Sequence, residues 1–118
     1  MKEYLVPEKQ SQDLKELGFD ELCLFFHEDG DVCPIYHQCD ITSDMVLAPL
    51  YQQAFRWFRN KYGFVSEIQT PDGKNGVWHP TIHKIYGFGN HYDNDGFNSY
   101  EEAELASIKK LIEIVKNG

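Results

Sequence analysis

The alternation of apolar and polar positions predicts a helix, a hairpin, a second helix, a second hairpin and a last helix. Residues 7–17 read as a short first helix. Leu14 and Leu17 are apolar at i, i+3, and Gly18 stands where a helix stops. Over residues 22–27, Leu22, Leu24 and Phe26 share one strand face and Cys23, Phe25 and His27 the other. Glu28-Asp29-Gly30-Asp31 carries the Asp-Gly hairpin signal, and residues 32–37 read as the returning strand. Pro34 has no N–H to donate, so that strand is expected at a sheet edge.

Residues 45–62 hold the longest helical stripe, with Leu47, Leu50, Tyr51, Ala54, Phe55, Phe58 and Tyr62 on one face. Pro49 belongs in a first turn, which sets the regular helix from about Ala48, and Gly63 ends it. Residues 64–70 and 77–88 read as a second pair of strands around a loop with two turn signals, Asp72-Gly73 and Asn75-Gly76. Ser99 and Glu102 form a capping box before a final helix to about Lys116, with Leu105, Ile108, Leu111, Ile112 and Val115 inward. Hairpins close without long crossovers. The simplest assembly is therefore one α+β domain over residues 1–118: two layers, an antiparallel sheet built from two hairpins, and helices packed on one face. The expected core is Leu50, Phe55, Phe58, Ile108, Leu111 and Ile112.

Two stretches carry a resemblance. Residues 46–59 (Val-Leu-Ala-Pro-Leu-Tyr-Gln-Gln-Ala-Phe-Arg-Trp-Phe-Arg) and 97–105 (Phe-Asn-Ser-Tyr-Glu-Glu-Ala-Glu-Leu) resemble a group of short proteins encoded by bacteriophages and prophages. The likeness covers about the C-terminal two thirds of the chain. It implies a mobile-element setting and no chemistry.

Composition narrows the class. Leu, Ile, Val and Phe supply 31 of 118 residues, above the level of about a fifth below which disorder is the default. The longest apolar run, at residues 22–26, is too short to span a bilayer, and the first residues carry no apolar leader core. A soluble, cytoplasmic protein without membrane contact is the expectation. The three cysteines, Cys23, Cys33 and Cys39, are an odd number in a chain large enough to bury a core, so reduced thiols are expected.

Charge changes the picture more. The net charge is −8, from 11 basic and 19 acidic side chains. Residues 1–47 hold 3 basic and 11 acidic groups, whereas residues 48–92 hold 5 and 2. An acidic chain disfavours a nucleic-acid coat, because phosphate binding scales with the cations presented. The basic middle segment concentrates on the second helix, where Arg56, Trp57 and Arg59 lie off the core stripe. Trp78 and His79 follow from the neighbouring hairpin. Arg beside Trp is a common contact composition, so these five residues are the candidate partner-binding surface.

The chemical motifs are weaker. Cys33, His37 and Cys39 gather three metal-ligand types within seven residues, with His27 across the hairpin, but the spacing is not a common zinc pair. Buried thiols and an edge-strand histidine explain them as well. His79 and His83 on a strand would stand about 13 Å apart, too far for one ion. The loop at residues 91–102 has EF-hand spacing at Asp93, Asp95, Gly96, Ser99 and Glu102, yet His91 occupies the first ligand position and no helix precedes it. Gly87-Phe88-Gly89 lacks the remainder of a phosphate loop, and no nucleophile turn is present. No cofactor is expected. The reading is a non-catalytic binding module acting on a protein partner or on a second copy of itself. A small metal- or nucleotide-dependent enzyme and a nucleic-acid-binding accessory protein are the alternatives.

Overall fold

The computed structural model describes residues 2–69, 76–85, 87, 92 and 94–118. The chain is an α+β protein, and among the described residues the strands form two antiparallel sheets, of three and two strands. It divides into two compact units, residues 1–54 and 55–118.

In the first unit, helix α1 (Glu8–Glu16) starts directly after Pro7, whose φ of −60° suits a helix entry. It ends in a hydrogen-bonded C-terminal turn: Gly18 N–H donates to Lys15 O and Phe19 N–H to Leu14 O. Gly18 has the positive φ (98°) that this Schellman geometry requires. Leu14 and Phe19, the positions that carry the apolar contact of this motif, are both buried. Strands β1 (Phe25–Glu28) and β2 (Asp31–Pro34) then pair with Glu28 opposite Asp31. Asp29 and Gly30 form the tip with φ of 51° and 85°, the doubly positive pattern of a type I′ turn. As Pro34 requires, β2 is an edge strand.

Strand β3 (Val46–Leu47) occupies the other edge of β1. Sequence reading includes these residues in the helical stretch from residue 45, ahead of a regular helix from about Ala48, whereas in the structure they form a strand. A residue before proline is pushed toward extended backbone, so Ala48 cannot carry a helix back into Val46 and Leu47. Its N–H donates to Phe25 O, and Pro49 O accepts from Val6 N–H. Helix α2 therefore begins only at Tyr51 and runs to Tyr62. Leu50, expected in the core, is outside the helix and 39% exposed.

In the second unit, which takes the helix from Phe55 onward, Gly63 ends α2. Strands β4 (Phe64–Gln69) and β5 (His79–Lys84) pair from Phe64↔Lys84 to Gln69↔His79. The loop expected between them, at residues 71–76, lies outside the described residues except for Gly76. Pro80 is fully buried within β5, which a two-stranded ribbon tolerates because each strand is an edge. Helix α3 (Tyr100–Asn117) is capped by Ser99, whose Oγ accepts from Glu102 N–H at 3.1 Å. It packs on both strands through Ala103, Ser107, Ile108, Leu111 and Ile112, with Ile82 buried in the sheet. Phe58, Ile108, Leu111 and Ile112 are buried as expected; Phe55 is only half-buried. The two hairpins thus belong to two sheets instead of one.

Candidate functional site

Helical spacing puts Gln52, Arg56, Arg59 and Asn60 on one face of α2, and all four are exposed. Trp57 is not part of that surface. It is 5% exposed, meets Phe58 and Tyr62 edge to face at centroid distances of 5.1 and 5.5 Å, and is roofed by Lys61, whose Nζ stands 5.0 Å above its ring. A tryptophan at the margin of a stripe gains more from covering its large ring than from waiting for a partner. Its expected place on a contact surface is corrected to a core role.

Trp78 and His79 are also committed to packing. Trp78 exchanges both backbone hydrogen bonds with Phe97 and stacks edge-on against Tyr100 at 5.3 Å. His79 lies against Gly96 so closely that a Cβ there would meet its ring at 2.9 Å. Asn94 secures this corner by donating to Pro80 O (2.8 Å) and accepting from Gly96 N–H (2.9 Å). The ladder sets His79 five residues along β5 from Lys84, roughly 17 Å of strand.

Lys84 and Ile85 lie at the end of the ribbon that adjoins α2. Ile85 N–H donates to Gly63 O, and Gly63 N–H donates to Arg59 O. Lys84 Nζ lies 5.4 Å above the Phe64 ring. Ile85 itself is 48% exposed. The second unit thus carries Arg56 and Arg59 on the exposed face of α2, Lys61 over Trp57 on the other side of the helix, and Lys84 over Phe64 next to Ile85. Neither Lys84 nor Ile85 is conspicuous in sequence, because only the hairpin register brings them to the helix end.

The first unit presents a different surface. Leu22 (70% exposed), Leu24 (64%) and Leu50 (39%) surround a small cavity of about 60 Å³ whose walls include Leu5, Cys23, Ala48 and Gln53. Gln53 braces the rim: its Nε2 donates to Leu22 O (2.8 Å) and to Glu21 Oε1 (3.4 Å). Beneath them the Cys23 thiol is pushed up to about 11, mainly by burial and further by the Glu21 carboxylate. That thiol is held protonated and unreactive at neutral pH.

The remaining motifs do not converge. His27 and Cys33 take opposite faces of their hairpin, since Cys33 stands across from Phe26 and His27 from Val32. β2 ends at Pro34, leaving His37 and Cys39 exposed. Among the described residues, no three His, Cys, Asp or Glu side chains gather where an ion could be held. His91 and Asp93 of the EF-hand spacing lie outside the described residues. Buried His27 places Nε2 2.9 Å from Val6 O and 3.2 Å from Ser11 Oγ. A carbonyl only accepts, so Nε2 carries the proton and cannot take one from Ser11. The pair ties α1 to β1 and is no nucleophile and base.

No known protein family, curated protein or solved structure matches this chain. Among the described residues no helix is long and apolar enough to cross a membrane.

Proposed function

We propose that this chain is a non-catalytic cytoplasmic binding module, of mobile-element origin as its resemblance implies, which associates through the cationic face of α2 with an acidic protein surface. The supporting observation is the partition of charge. Residues 1–54 hold 3 basic and 11 acidic side chains, whereas residues 55–118 hold eight of each. The whole net charge of −8 therefore resides in the first unit, while Arg56 and Arg59 stand exposed on the second. A second copy of the chain already offers the complementary surface. Such attraction weakens once the Debye length, about 10 Å at 0.1 M salt, falls below the charge separation.

Immobilised chain binding free chain, followed by interferometry, tests the reading. Arg56→Glu/Arg59→Glu should weaken binding by about tenfold or more at low salt, each tenfold corresponding to about 1.4 kcal/mol, with the fold intact. Binding equal to wild type in that double variant removes the cationic face from the account.

A further inference from the structure

We infer that the leucine-rimmed cavity of the first unit is a socket for Ile85 of a second copy, so that copies associate head to tail. The inference rests on the cationic-face reading and supplies the surface that this face meets.

Three observations join. The first is shape: three exposed leucines surround a cavity of about 60 Å³, twice the share of liquid volume held by one water, about 30 Å³. That volume admits the tip of one branched aliphatic side chain. Its walls are mostly leucine, alanine and phenylalanine, with Gln53 and Cys23 as the polar members. The second is the plug. Ile85 is 48% exposed at the tight junction of α2 and β5, anchored by its N–H to Gly63 O at 2.9 Å. A rigid anchor lowers the ordering entropy lost on docking.

The third is charge. The socket belongs to the unit with 11 acidic and 3 basic side chains, and Glu21 borders it through Gln53. The plug stands beside Lys84 and the helix end bearing Arg59 and Lys61. Two sockets brought face to face would oppose two strongly negative units. Socket against plug sets the negative unit against a unit of no net charge whose nearby cations are Lys84, Arg59 and Lys61, with apolar contact at the centre and charges around it, the usual anatomy of a protein contact. Each copy has one socket and one plug, so every contact joins two unlike surfaces and each copy can both give and receive an isoleucine.

Complementation between two neutral variants tests this. Leu24→Ser breaks the socket and keeps the plug; Ile85→Ser does the reverse. Both sites are exposed, so circular dichroism should match wild type for each. By light scattering on a sizing column, each variant alone should associate about tenfold or more weakly than wild type. An equimolar mixture should recover a dimer and nothing larger, because one intact socket and one intact plug remain. Failure of the mixture to associate, with both variants folded and weakened, overturns the head-to-tail pairing. Association of either variant at wild-type strength overturns the socket and plug. If Arg56→Glu/Arg59→Glu still dissociates the protein in that case, the cationic face stands without them.

Discussion

Glu104 is the residue whose environment departs most from what its chemistry favours. It lies on the sheet-facing side of α3, 8% exposed, and burial, with the Glu101 carboxylate adding to it, pushes its carboxyl up to about 7. The sign of the effect follows directly. Between the ordinary value of 4.5 and about 7, the unfolded chain releases a proton that the folded chain keeps. The folded state therefore loses stability as pH rises through that window, and the penalty is fully present above it. Allowing for residual solvent screening, the loss is about 1 kcal/mol. Glu104→Gln should flatten this part of the pH profile and raise the denaturation midpoint near pH 8. A variant whose profile parallels wild type would show that the carboxyl is fully hydrated. Phe58 is the counterpart among apolar residues, with no exposed surface and aromatic partners on its own helix. Phe58→Ala should cost ~3–5 kcal/mol in chemical denaturation, much of the stability of a small domain.

At the scale of elements, local signals decided what could be read in advance. The Asp-Gly turn, the Ser99 cap, the Gly18 stop and the edge placement of Pro34 each depend on a few neighbouring residues, and each is found where sequence places it. The failures share another cause. Leu47 fits a helical stripe by spacing, but Pro49 and the free edge of β1 draw it and Val46 into a strand, an outcome set by partners Phe26 and His27 far back in the chain. Trp57 and Leu50 exchange places for the same reason: the delayed start of α2 leaves Leu50 outside, and the tryptophan is covered by Phe58, Lys61 and Tyr62. Lys84, Ile85 and the leucine socket were illegible because exposure of an apolar side chain is decided by register and packing, not by periodicity. The Gly96 corner shows how narrow such tertiary fits are. Its φ is 95° and a Cβ would meet the His79 ring at 2.9 Å. Gly96→Ala should cost about 2–4 kcal/mol from backbone strain and overpacking together, read as a lowered denaturation midpoint. A cost below about 0.5 kcal/mol, the usual effect of a surface change, would show that residues 94–97 do not clamp β5.

For the whole molecule, the thiols and the charges make separate statements. All three cysteines are free, buried at Cys23, half-buried at Cys33 and exposed at Cys39. A thiol reagent at neutral pH should modify Cys39 quickly and Cys23 only after denaturant is added, since burial limits both access and ionisation. Rapid modification of Cys23 in the native protein would mean that the socket floor opens. The charge partition is central, because it gives an acidic chain two unlike units. Sedimentation equilibrium over a salt series tests it most directly. At low salt and high-micromolar concentration, the average mass should exceed the 13.8 kDa of one chain. It should fall toward that value as salt rises past the point where the Debye length drops to about 3 Å, near 1 M. A mass of 13.8 kDa at every salt concentration, or a larger mass indifferent to salt, would contradict the account.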